Sequence, residues 1–268
     1  MSDDVVKKAL WWLCLLVAPL VLIGIELFHP AGFTHEPGMY EYLSKPQPWA
    51  PEHKALEYFG PAWWFKLHMI QTPMVGLVAV GLWLLIGGIG SASGRLTVVA
   101  AWISRAATFV FVIYYTALDS IGGSGLAQLI QITERCQSGA AQAVQDSPCM
   151  TPQGVAFSLT PQQVEGVVNV LNAAWTDTWV GGVGSFISQT GSWAVFVAAL
   201  FAAVALFTAR RAPWPALILL IGFGWELQMS HTAFHGPIAF TLLIASALWI
   251  RFGSKRRGPA GEGEQTAA

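Results

Sequence analysis

Six stretches of this chain, at about 9–28, 62–88, 98–122, 179–208, 214–232 and 236–252, approach or exceed the roughly 20 apolar residues that a helix needs to cross the hydrocarbon of a bilayer. That pattern leaves few folds open. With no water to satisfy main-chain polar groups, each stretch must close its hydrogen bonds within itself, as an α-helix. Composition agrees: 54% of the 268 residues are hydrophobic and 11% are charged, too apolar a balance for a soluble domain. The expected fold is all-α, a polytopic membrane helix bundle of about six transmembrane helices. It forms one domain over 1–252, followed by a polar, glycine-rich cytoplasmic tail at 253–268 that is expected to be disordered. Lys7 and Lys8 precede the first stretch as in a signal peptide. Its apolar run is long, however, and no small-residue cleavage site follows Phe28, so it reads as a retained span.

Orientation follows from Lys and Arg. With both termini in the cytoplasm, Lys7, Lys8, Arg95, Arg105, Arg210, Arg211, Arg251, Lys255, Arg256 and Arg257 lie inside, and only Lys45, Lys54, Lys66 and Arg135 lie outside. Positive charge is retained on the cytoplasmic side, so N-in/C-in is the expected topology, in a plasma (inner) membrane. The 13 tryptophans support the spans, because most fall at segment ends and form two interfacial belts: Trp11, Trp12, Trp83, Trp102, Trp214 and Trp249 on one side, Trp63, Trp64, Trp175, Trp179 and Trp225 on the other.

Two longer connections, at about 29–61 and 123–178, are then external. Prolines and aromatics in the first predict an ordered cap, in which His35 and His53 are solvated or packed against loops. The second holds Cys136 and Cys149, which an oxidising compartment would pair as a disulfide. Cys14, within the first span, reads as a small buried apolar residue. Thr160-Pro161-Gln162-Gln163 carries an N-cap, a proline at the first helical position and a capping-box Gln, so a helix is predicted to start there. Val164, Val167, Val168, Leu171 and Trp175 would make its apolar face.

Polar residues within the spans are one-sided. Glu26 and His29 share a helical face at the end of the first span. His68, Gln71 and Thr72 do so in the second, and Asp119 lies toward the outer end of the third. The fifth span reaches Glu226, Gln228 and His231, and the sixth begins at His235. The inner halves carry no ionisable residue beyond Arg105, which can snorkel to the interface. An ion pathway would need such groups through the whole thickness, so the distribution predicts an outward-facing pocket instead. Its chemistry is that of a metal or haem site. His68, His231 and His235 are the candidate ligands, Glu26 and His29 are further candidate metal ligands, and Asp119 and Glu226 are the candidate acid–base residues. Imidazoles suit zinc, copper and iron, and a carboxylate commonly orients each by accepting its other N–H. Haem b would need two histidines facing across the bundle, such as His68 opposite His231 or His235. Against this stands the plainer reading that interfacial histidines hydrogen-bond Asp119, Glu226 or the loops and bind nothing.

His68, Asp119 in the next span and the terminal His231-x-x-x-His235 resemble the alkaline ceramidase and adiponectin-receptor group, zinc-dependent membrane lipid amidases. The resemblance implies a zinc-bound water attacking an acyl carbonyl, with Asp119 as proton acceptor. Those proteins have seven spans, a serine where this chain has Trp64, and a final HxxxH inside a helix rather than beside Gly236-Pro237. The expected function is therefore a metal- or haem-binding oxidoreductase or metal-dependent membrane enzyme acting on a small or lipophilic substrate. The alternative is a cofactor-free transporter, or an anchoring or assembly subunit working with other membrane subunits. No phosphate-binding loop or basic aromatic stripe is present, so nucleotide and nucleic-acid partners are not expected.

Overall fold

Each apolar stretch contributes a helix in the computed structural model, which describes residues 3–29, 38–44, 60–90, 93–137, 149–232 and 234–253, although the fourth is helical only from Phe186 rather than from 179. His35, His53, most of the proline-rich connection and the tail after 253 lie outside the described residues. Eight helices are described: α1 (Asp4–Glu26), α2 (Met39–Ser44), α3 (Pro61–Leu85), α4 (Arg95–Cys136), α5 (Pro161–Thr176), α6 (Phe186–Thr208), α7 (Trp214–Met229) and α8 (His235–Gly253). Five of them, α1, α3, α4, α6 and α8, are long and apolar enough to cross a membrane. At 16 residues, α7 extends about 24 Å, short of the roughly 30 Å hydrocarbon core.

The six long or apolar helices close a ring in which α1 packs on α3, α3 on α4, α4 on α6, α6 on α7, α7 on α8 and α8 back on α1. Small residues let the backbones approach. Ser104 of α4 donates to the Ala198 carbonyl of α6 at 2.8 Å, and α6 buries Ala194, Ala198, Ala199, Ala202 and Ala205. A Cβ at Gly191 would lie 3.3 Å from the Tyr115 amide nitrogen, and one at Gly81 would lie 3.1 Å from the Cys14 carbonyl. Such close contacts are what associates helices where lipid removes the hydrophobic drive.

One end of the ring is basic. Arg211 donates to the Gly87 and Gly88 carbonyls at 2.6 and 3.2 Å, capping the chain that leaves α3. Arg105 reaches the Ile86 and Ile89 carbonyls, and the Arg251 guanidinium stacks 4.3 Å from the Trp11 ring centre. These contacts place the start of α1, the end of α3, the α6–α7 turn and the end of α8 together.

The other end differs from expectation in its longest helix. The pair Gly122-Gly123 does not end the third span: a π-helical turn, Asp119–Gly125, carries the chain on to Cys136. A π turn widens the helix and re-aims its side chains, and glycines tolerate the close neighbours this brings. Cys136 is bonded to Cys149, with Cα atoms 5.6 Å apart. The predicted cap of α5 is present on both sides. Gln163 N–H donates to Thr160 Oγ1 at 3.3 Å, and Thr160 N–H donates to Gln163 Oε1 at 2.8 Å. Beyond α5, Asp177 accepts from the Trp179 and Val180 amides at 2.8 Å each, and these bonds lower its carboxyl pKa.

Candidate metal centre

At the end of the ring opposite the arginines, three histidines converge from separate segments. His29 follows α1, His68 sits in the second turn of α3, and His231 lies in the turn between α7 and α8. One ring nitrogen of each lies within 4.8 Å of the others. The rings meet edge to face, His29 being 5.5 Å from His68 and 4.9 Å from His231 between centres. His29 and His68 are buried, while His231 is half-buried.

Local chemistry sets His68 for ligation. Its Nδ1 lies 2.7 Å from the Trp64 carbonyl, one turn earlier on α3. A carbonyl only accepts, so this contact needs the proton on Nδ1 and leaves the Nε2 lone pair free for a ligand. Trp64 is itself fixed by donating Nε1–H to the Gly122 carbonyl at 3.1 Å. The glycine at 123 makes the approach possible, because a Cβ there would collide with the His68 ring. Helix α4 therefore contributes a bare backbone surface to the site.

Around the three rings is a cavity of about 30 Å³, lined by His29, Trp64, His68, Leu118, Asp119, Gly122, Gly123, Trp175, Val183, His231 and Thr232. It has room for one or two water-sized groups. Trp175, near the end of α5, lines the cavity from that helix. Its carbonyl accepts from the Gly182 amide at 2.8 Å, and a Cβ at Gly122 would lie 3.2 Å from its ring.

Beneath lies a polar layer about one helical turn deeper. Gln71, three residues after His68, donates Nε2–H to the Tyr115 hydroxyl at 2.8 Å, and Tyr115 in turn stacks 5.5 Å from His231. Thr72 donates to Asp119 Oδ2 at 3.2 Å. Glu26, three residues before His29, is fully buried, as are Gln71 and Asp119 to within 1%. Both Glu26 oxygens, Asp119 Oδ1 and Gln71 Oε1 have no hydrogen-bond partner among the described residues.

The candidate residues thus separate into two groups. His29, His68, His231 and Asp119 line one cavity, with Glu26 below it. His235 and Glu226 lie elsewhere: His235 Nδ1 is 2.8 Å from Glu226 Oε2 in a pair whose histidine side chain is 47% exposed. The i, i+4 spacing of His231 and His235 does not put them on one face, because α7 ends at Met229, His231 lies in a bend and α8 begins only at His235. Trp64 and Trp175, assigned from sequence to an interfacial belt, both line the cavity, Trp64 buried and Trp175 half-buried. No family model, curated protein or solved structure matches this chain.

Proposed function

We propose that this chain is a six-span membrane protein, N-in and C-in, whose external end binds a divalent transition-metal ion through His29, His68 and His231 and uses it on a small ligand. The observation that carries this reading is the convergence of three imidazoles, from three segments far apart in sequence, to within 4.8 Å. Metal–nitrogen bonds of about 2.0–2.1 Å place ligand atoms about 3.4 Å apart in a tetrahedral set, so the rings need to close by up to about an ångström and a half. Imidazole nitrogens suit zinc, copper or iron. Three protein ligands leave a coordination position open, and the cavity has room for a group of about the size that would fill it. A bare ion fits better than haem b, because about 30 Å³ leaves no space for a macrocycle.

A metal ion in such a position polarises a bound ligand or lowers the pKa of a bound water. The chain's own share is to position and exclude. Asp119 lines the cavity, its Oδ2 accepts from Thr72 and its Oδ1 has no hydrogen-bond partner among the described residues, which supports a role in accepting a proton from a ligand group. Trp64 and Trp175 keep bulk water from two sides. Metal-assisted hydrolysis and metal-centred redox chemistry both fit these parts, and hydrolysis makes fuller use of Asp119. Elemental analysis of protein purified in mild detergent tests the reading, beside His29→Ala, His68→Ala, His231→Ala and His235→Ala. About one metal per chain, lost in the first three variants and kept in the fourth, is expected. Equal retention in all four, or no metal after reloading with zinc, copper or iron, sinks it.

A further inference from the structure

Two buried acids remain for which neither the packing nor the histidines account. Glu26 is fully buried and Asp119 is 1% exposed, and neither has a Lys or Arg ion-pair partner among the described residues. Three of their four oxygens accept no hydrogen bond among the described residues. A carboxylate taken out of water without partners is among the costliest groups a protein can hold, and the alternative protonated form would still leave its donor unmatched here. Yet both acids sit against the histidine cluster. Glu26 is the last residue of α1, and its carbonyl accepts from the His29 amide at 3.1 Å. A Cβ at Gly236 would collide with the His231 carbonyl and lie 3.2 Å from Glu26 Cγ, so the Glu26 stem runs beside the His231 backbone. Asp119 shares the cavity wall with all three histidines.

We infer that Glu26 and Asp119 are the counter-charges of the ion: with three neutral imidazoles and a divalent cation, the two carboxylates make the buried assembly electrically neutral. They act through the ion's charge rather than by ligation, which makes them positioning and specificity-determining residues. The arrangement selects divalent over monovalent cations, and it explains why the acids have no other partner. This rests on the three-histidine reading above.

Copper separates charge from shape, because one site can hold Cu²⁺ and Cu⁺. The affinities of both are measured by chelator competition for the wild-type protein, Glu26→Gln, Asp119→Asn and the double variant, in detergent. Each single variant is expected to lose roughly 10–100-fold in Cu²⁺ affinity, the range seen for outer partners of metal ligands. Cu⁺ affinity should fall far less, so the copper midpoint potential rises. Each tenfold loss confined to Cu²⁺ corresponds to about 59 mV for one electron. The losses should accumulate in the double variant. A second measurement covers folding: removing an unpaired buried acid should raise the thermal midpoint of the metal-free protein while shrinking its stabilisation by Cu²⁺. Equal losses for both copper states, no loss, or variants that fail to fold without metal would each overturn the inference. If the wild type binds copper and the variants match it, only this inference falls; if the wild type binds neither copper state, the histidine site falls with it.

Discussion

At the scale of single residues the site depends on absent atoms as much as on present ones. His68 reaches the cluster because position 123 has no side chain, and Gly123→Ala would set a methyl group against the imidazole ring. Overpacking of this kind typically costs about 1–3 kcal/mol. The expected outcome is a lower thermal midpoint together with weaker metal binding, read by calorimetry and metal titration; an unchanged affinity would show that His68 is free to move. Some of this was legible in the chain. His68, His231, Asp119 and Glu26 announced themselves as ionisable groups at membrane depth, where such residues are costly. Tyr115, Trp64 and Trp175 did not, because an aromatic residue in an apolar run looks the same whether it faces lipid, a core or a cavity. His29 was legible as a neighbour of Glu26, but its approach to His231 depends on how α1 and α8 meet, which no local spacing encodes.

At the scale of elements, local signals succeeded where the chemistry is local. The Thr160–Gln163 cap starts α5 as its side chains dictate, since both hydrogen bonds lie within three residues. The apolar run alone put the end of the third span at 122, beside Gly122-Gly123. Two glycines ordinarily weaken a helix, yet here packing against α3 and Trp175 draws the chain through a π turn and onward for another 11 helical residues. Tertiary contact outweighed propensity at that point. The break between α7 and α8 shows the converse: Gly236-Pro237 signalled it, and it separates His231 from His235, sending one to the histidine cluster and the other to Glu226. Non-helical backbone near the membrane is tolerable because it lines a cavity and its polar groups find partners, Ser230 N–H donating to the Glu226 carbonyl at 3.1 Å.

At the scale of the molecule, the helical ring and its spans follow from the lengths of the apolar runs, whereas neighbour order around the ring comes only from the fold. The proposed orientation rests on charge, with Arg105, Arg211 and Arg251 gathered at the end away from the histidines. A membrane-impermeant maleimide applied to intact cells is expected to label Glu165→Cys on the exposed face of α5 and to spare Ser93→Cys in the α3–α4 turn; the opposite pattern would invert the topology. One helix has a wider consequence. In the six-span arrangement proposed above, α7 extends only about 24 Å and His231 lies two residues beyond its end, so the bilayer would have to thin around it or let that end ride below the headgroups. Membrane thickness then becomes an input to the histidine cluster. Reconstitution in long-chain rather than short-chain phosphatidylcholine should strain the turn and weaken metal binding, so that acyl-chain length acts on the site as an allosteric effector would.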